Sequence, residues 1–327
     1  MSANLQNPIF FDDNLAREWL EARVWPDGPI CPHCGVTAEF VTKLHGEKHR
    51  PGLYQCNACR EQFTVTVKTV FERSKVPLSK WVAALFLLTA SKKGVSAHQI
   101  HRSLGVTYTT AWFMMHRLRE ALRGGAFYPF GSDGGAVEAD ETYIGRLKHA
   151  KVRQGGHHKM AVLSLLDRDT KRVRSFHVDE VTADEVTPIV SANLAKEAHL
   201  MTDQGKWFRR AGRELGRHET VDHSDGEYVR KVNDPETGEE YAIHTNTLEG
   251  YYSIFKRGMK GVYQHCSEKH LHRYLAEFDF RYNNRVAHGV DDHERAGIAA
   301  KGIVGKRLTY RRPHNALGAA NDNSALH

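Results

Sequence analysis

The sequence predicts an α/β protein, a mixed sheet with flanking helices, preceded by two small modules, one built on cysteines and one on helices. Three observations carry this. Residues 136–223 run as three strand-like segments and then helix and strand in turn. Residues 31–59 hold four of the five cysteines in two close pairs. Residues 96–122 read as two helices broken at a glycine. The expected boundaries are 1–75 for an N-terminal segment with the cysteine module, 76–130 for the helices, 131–300 for the sheet domain and 301–327 for a basic, mobile tail.

At 327 residues, 40% hydrophobic and 26% charged, the chain is long enough for about two domains and a substantial core. Lys and Arg number 46 against 39 acids, and the excess is uneven, with 16 basic and 10 acidic residues in 1–130. A basic front joined to a nearly balanced remainder suggests a polyanion-binding module attached to a part with another task; charge for solubility alone is the plainer alternative. Residues 1–30 lack a basic start followed by an apolar run, so no secretory signal is expected. The most apolar window, Trp81 to Ala90, is half the roughly 20 residues of a membrane span and reads as a core helix. Neither a membrane partner nor a disulfide framework is expected, and paired thiols point to metal in a reducing cytoplasm.

Cys31-Pro-His-Cys34-Gly and Cys56-Asn-Ala-Cys59-Arg are two knuckles with 21 residues between Cys34 and Cys56. Two-residue spacing lets both thiolates of a knuckle reach one tetrahedral ion, and four thiolates close a structural zinc site. With short strands expected at 39–43, 52–56 and 62–67, this is the layout of a zinc ribbon; a redox pair or unrelated buried cysteines are the competing readings. Cys266 stands apart and reads as a packed thiol. Beyond the ribbon, a helix ending at Gly105 and a second from Tyr108 to Leu122 fit a helix-turn-helix, with Thr109, Thr110, His116, Arg117 and Arg119 on the helix that would enter a groove. A plain helical hairpin is the alternative.

In the sheet domain, strands are expected at 136–144, 160–166 and 172–178, then a helix from Asp184, a strand at 199–202, a helix near 206–215 and a strand at 219–223. This order resembles the RNase H-like fold. Asn233-Asp-Pro-Glu-Thr-Gly238 marks the turn of an inserted hairpin. Helices follow through Glu249 to Lys256 and from Leu271 to Tyr282. On such a fold Asp140 in the first strand and Asp203 at the end of the fourth lie on adjacent strands, with Glu249 brought beside them by the later helix. Three carboxylates converging from distant positions can hold Mg²⁺ or Mn²⁺ for phosphodiester chemistry. Taken singly, Asp203 could be only a turn residue and Glu249 a solvated helix residue. Glu138 shares a strand face with Asp140 and is placed to support it.

These motifs together resemble the zinc-ribbon DDE transposases of bacterial insertion sequences, the ISXO-type group. The resemblance runs from Cys31 to about Arg285. It rests on Cys-Pro-His-Cys-Gly, Val-Glu-Ala-Asp140-Glu-Thr-Tyr-Ile-Gly, Thr-Asp203, His-Ser-Asp-Gly-Glu-Tyr-Val at 223–229, His-Thr-Asn-Thr-Leu-Glu249-Gly through Phe-Lys256-Arg-Gly, and the segment His270 to Arg285. It implies that Asp140, Asp203 and a third residue bind Mg²⁺ and that Lys256 contacts DNA near the cleaved end. Members vary at the third position, with Asn or His in place of the acid, so Asn246 is the alternative to Glu249. Glu249 is preferred because Lys256 follows it by seven residues.

The expectation is a transposase. Its ribbon and helix-turn-helix would bind double-stranded DNA at terminal inverted repeats, and its core would free a 3′-hydroxyl and direct it at target DNA. Arg257, Lys260 and Lys269 would add backbone contacts, and a homo-oligomer would hold two ends together. A non-catalytic DNA-binding regulator and a structure-selective nuclease of the same fold are the alternatives.

Overall fold

The computed structural model describes residues 6–124, 127–148, 150–152, 156, 158–233, 238 and 240–309. The chain divides into two compact units, Met1–Gly125 with Gly289–His327, and Ala126–His288. Most of the expected tail, from 310 on, lies outside the described residues.

In the first unit, helix α1 (Asp13–Val24) precedes a three-stranded antiparallel sheet of β1 (Val41–Lys43), β2 (Tyr54–Cys56) and β3 (Gln62–Phe63). Trp25, Tyr54 and Phe63 pack beside the cysteines with ring centroids 5.3–5.8 Å apart. Helices α2 (Leu78–Ala90), α3 (Ala97–Leu104) and α4 (Tyr108–Leu122) follow. No side chain of its own caps the start of α2; Asp13 Oδ1 accepts from the Ser79 amide at 2.9 Å and hydroxyl at 2.6 Å, joining α1 to α2. Gly105 ends α3 in the left-handed conformation at φ 59°, where only glycine sits without strain. Ser96 and Thr107 cap the two helices either side of that turn.

The second unit holds a five-stranded sheet in the order β6-β5-β4-β7-β8, built from β4 (Ala136–Ile144), β5 (Met160–Asp167), β6 (Arg172–Val178), β7 (His199–Asp203) and β8 (Arg217–Val221). The first three strands pair antiparallel, and β4–β7 and β7–β8 pair parallel. Helices cover both faces. Central β5 is buried along its whole length: Ala161, Leu163 and Leu165 meet α5 (Ala183–Asn193) and α6 (Phe208–Gly212), while Met160, Val162 and Leu166 meet α7 (Asn246–Gly258) and α8 (Glu268–Asn283). This is the expected mixed α/β, RNase H-like sheet with flanking helices. The hairpin of β9 (Arg230–Asn233) and β10 (Glu240–Ile243) forms where it was expected, although most of its turn lies outside the described residues.

Edge strand β6 is sealed by side chains of α8. Asp279 accepts from the Ser175 amide and hydroxyl at 2.8 Å each, and Asn283 both donates to and accepts from the Val173 backbone. The helix thereby takes the part of a missing neighbour strand. After residue 288 the chain returns to the first unit as α9 (Asp292–Lys301), opened by a capping box of Asp291 and Glu294. Beyond α9, Val304 bridges to Thr69 and Lys306 donates to the Ala121 carbonyl at 3.2 Å, which ties the start of the expected tail to the helices.

Candidate active site and metal centre

The parallel β4–β7 ladder is paired through Glu138↔Met201. Two residues further along each strand come Asp140 and Asp203, at the carboxyl end of β7 where open α/β sheets offer their sites. Asp140, Asp203 and Glu141 bring ligand oxygens within 4.8 Å of one another. One oxygen of each takes a neutral donor: Asp140 Oδ1 from the Glu141 amide at 2.8 Å, Asp203 Oδ1 from the Gly205 amide at 3.0 Å, and Glu141 Oε2 from Trp207 Nε1 at 3.0 Å. Among the described residues no Lys or Arg forms an ion pair with any of the three.

The electrostatic result is large. Burial, then the charges of Glu141, Asp203 and Glu249, push the Asp140 carboxyl up to about 8. Burial and Asp203 push Glu141 up to about 7. Buried and crowded like charges behave this way, and a divalent cation would relieve them. The acidic donors therefore fit a hard, oxygen-seeking metal.

Helix α7 is fixed to this strand end by buried polar contacts. Its Thr245 cap makes no side-chain hydrogen bond to the helix. Instead Glu138, fully buried, reaches from β4 and accepts from the Leu248 amide at 2.9 Å. A carboxylate at a helix N-terminus satisfies an orphan donor and complements the helix dipole. Glu138 is paired with Arg168 Nε at 2.7 Å, and the same guanidinium donates to the carbonyls of Ala242 and His244 at 2.7 Å each. Burial, then Arg168, lower the His244 pKa against the opposing charge of Glu138, and its Nδ1 lies 2.8 Å from the Arg168 guanidinium. One turn further, the buried Tyr252 hydroxyl donates to the Asp140 carbonyl at 2.6 Å.

On α7, Glu249 lies outside the tight group of three. Its carboxylate is about half exposed, 3.9 Å from His223 Nε2, yet close enough to raise Asp140. Asn246, at the first position of the helix, is exposed. Lys256 is half-buried with its ammonium 6.0 Å from the Tyr252 ring centre. Its pKa is lowered, first by burial and then by Lys260 and Lys159, while Asp140 and Glu249 act against the shift.

In the ribbon, Cys31 Sγ lies 3.7 Å from Cys59 Sγ and Cys34 Sγ 3.6 Å from Cys56 Sγ, and all four fall within 4.8 Å. A tetrahedron with metal–sulfur bonds of about 2.3 Å has edges of roughly 3.8 Å. The separations match that figure and are far too long for disulfides. Cys266 is half-buried against the α7–α8 core.

Residues 133–283 match the profile of the ISXO2-like transposase domain, and residues 11–62 that of the transposase zinc-ribbon domain. Together they cover more than half of the chain. The chain carries an ISXO2-like transposase domain preceded by a transposase zinc-ribbon domain. It is 26% identical over 288 residues to an uncharacterized protein in transposable element ISH50 of Halobacterium salinarum, covering 83% of this chain and 91% of that one. A chain in the intasome of simian T-cell lymphotropic virus, solved with the PP2A regulatory subunit B56 gamma, is 15% identical. The match covers 55% of this chain and 63% of that one at a TM-score of 0.28, too little overlap to bear on the fold.

Within this transposase, the residues expected to touch DNA separate sharply. Thr109 is exposed, as are Arg257, Lys260 and Lys269, although Arg257 folds back on Ser253 at 2.9–3.0 Å. Arg117 and Arg119 are 6% and 3% exposed. The Arg117 guanidinium donates to the Glu72 carbonyl at 2.8 Å and lies over the Trp81 and Phe113 rings. This corrects the expectation that these two arginines face a groove: a helix buried along most of its length spends its arginines on packing. His116, buried against Trp112, is packed likewise. Sequence reasoning passed over Glu141, Arg168 and Trp207. The Asp140-Glu141 doublet was the available signal for the first; Arg168 was hidden in what reads as a turn. Among the described residues no helix is long and apolar enough to cross a membrane.

Proposed function

We propose that this transposase cleaves DNA at the ends of an insertion sequence and transfers the freed 3′-hydroxyl to target DNA. The single observation that carries the reading is the gathering of Asp140 and Asp203 from adjacent strands with Glu141, their ligand oxygens within 4.8 Å, where burial and mutual repulsion push the Asp140 acid up to about 8. Asp140 and Asp203 would hold Mg²⁺ or Mn²⁺, with Glu249 reaching in from α7 and Asn246 one turn away as the alternative third ligand. A divalent cation there would make an attacking oxygen more acidic and stabilise the leaving one. The chain's own residues supply the rest. Glu138 and Arg168 hold the α7 N-terminus against the strand, and Lys256 offers a point charge for a phosphate near the scissile bond. Arg257, Lys260 and Lys269 would add sequence-independent contacts, and the four cysteines would hold a structural Zn²⁺. The turn between α3 and α4, with Thr109 exposed, supports a helix-turn-helix role in binding the inverted repeats. The protein would work on DNA in the bacterial cytoplasm as a homo-oligomer that holds two ends.

The test is Mg²⁺-dependent cleavage of DNA carrying the flanks of the gene. Asp140→Asn is expected to lower the rate about 10³-fold or more, since losing a metal contact costs several kcal/mol of barrier. Glu249→Gln is expected to fall well below Asn246→Ala; loss in the Asn246 variant alone would reassign the third ligand. Metal-independent DNA binding with no cleavage by the unaltered protein would favour a regulator.

A further inference from the structure

We propose that Glu141 is a further ligand of the cation held by Asp140 and Asp203, and that Trp207 positions it. This rests on the reading of those two aspartates as cation ligands, and extends it to a residue outside the expected triad.

Adjacent residues of a strand point to opposite faces. Along β4, Val137, Ala139 and Tyr143 join the core beneath α5 and α6, so Glu141 would be directed into the same apolar layer. Its carboxylate meets the Trp207 indole at the edge of that layer and also lies with Asp140 and Asp203. The ladder between β4 and β7 stops at Glu138↔Met201, which leaves both residues 140 and 141 beyond the last paired position.

The segment Asp203-Gln-Gly-Lys-Trp207 explains how the carboxylate is held there. Its Gly205 amide takes one oxygen of Asp203, and its Trp207 indole takes one oxygen of Glu141. A Cβ at Gly205 would sit 2.7 Å from the Trp207 ring and 2.9 Å from Asp203 Oδ1, so the tight turn admits no side chain. One short turn therefore orients two carboxylates from two strands toward a common point. Trp207 is itself seated against the α5–α6 core. An indole that donates to one carboxylate oxygen and leaves the other is the arrangement that outer partners of metal ligands adopt. Glu249, by contrast, stands beside His223 and outside this group.

The experiment is Mn²⁺ binding to the full-length, zinc-loaded protein without DNA, followed by electron paramagnetic resonance. Mn²⁺ prefers oxygen donors and so reports on the carboxylates rather than the thiolates. Glu141→Gln is expected to weaken binding about 10–100-fold and to alter the spectrum of bound Mn²⁺, and Trp207→Phe to weaken it roughly 10-fold with Glu141 intact. Melting in chelator controls for folding; if Glu141→Gln does not fold, Glu141→Asp and Trp207→Phe carry the test. Binding within twofold of the unaltered protein in Glu141→Gln, while Asp140→Asn binds none, would overturn the role of Glu141 and spare the reading of the aspartates. Unchanged binding in Asp140→Asn would overturn that reading itself.

Discussion

Two clusters of potential metal ligands in this transposase, the cysteines and the Asp140 carboxylates, are built in opposite ways. The four cysteines come in knuckles, each pair two residues apart, so half of the geometry is set by local chain sterics. The carboxylates come from the middle of β4, the end of β7 and, for Glu249, the start of a helix more than 100 residues after Asp140, and no chain spacing brings the two strands and the helix together. The cysteine site is closed, with four sulfurs at tetrahedral spacing. The acidic site is uneven: three carboxylates crowd one point and Glu249 stands off. A closed set suits a structural ion, and an incomplete one leaves room for water and substrate. The small ribbon has little core beyond the cysteines and a few packed rings, so an ion there would carry much of its stability, whereas the sheet has a core of its own and holds its acids against charge repulsion.

Removing metal should therefore have unequal consequences, and this is the largest effect expected. Structural zinc contributes on the order of 10 kcal/mol to the folding of small zinc modules. Stripping zinc with a strong chelator, or Cys56→Ser, should unfold the ribbon, seen as rapid proteolysis within residues 11–62 and loss of one bound zinc per chain. The same chelator should leave the core of the second unit resistant. Equal proteolysis of both would break the contrast.

How much of this was legible follows from the same difference. The knuckles announced themselves by spacing, and the strand order of the sheet followed from alternation, because β4 to β8 each carry their own apolar pattern. Asp140 and Asp203 were legible because the strand order puts the two strands that carry them side by side. Glu141 was not, because the period-two rule puts it on the opposite face from Asp140; its carboxylate joins the aspartates where the β4–β7 ladder has ended, held by the Trp207 indole. Glu138 was noticed for the right face, but its work is to cap α7, a bond across 110 residues that no local pattern signals. The arginines of α4 misled for a related reason. Composition shows that a helix is basic, and packing alone decides whether those charges face outward.

An effect of intermediate size concerns pH. Asp140 sits at about 8 and Glu141 at about 7 when folded, against ordinary values of 3.8 and 4.5. Between those limits the folded chain binds more protons than the unfolded one, so stability falls as pH rises. The stabilisation is complete below about pH 4 and is lost progressively toward pH 8. Without divalent metal, the melting temperature of the second unit should drop from pH 5 to pH 8 by more than that of Asp140→Asn. The variant should be the more stable of the two at pH 8. Saturating Mg²⁺ should shrink the difference, because a bound cation takes over from the protons. A native protein whose melting does not fall relative to the variant over this range would show that the acids are not strained by their own charge.

The smallest expected effect separates packing from binding among the basic residues. Arg117 spends its guanidinium on the Glu72 carbonyl and on two aromatic faces, at 6% exposure. Arg117→Ala should destabilise the first unit by about 1–3 kcal/mol, the cost of leaving a buried acceptor unpaired and a charged hydrogen bond unmade. Its effect on DNA affinity, measured well below the melting temperature, should be slight, and the slope of log K against log salt should not change. Lys260→Ala is the opposite case. Its side chain is exposed, so melting should stay the same while the salt slope falls by about one unit. If Arg117→Ala also lowered that slope, the guanidinium would have to leave the Trp81 face to meet phosphate, and α4 would be a helix that repacks on DNA rather than one already set by its core.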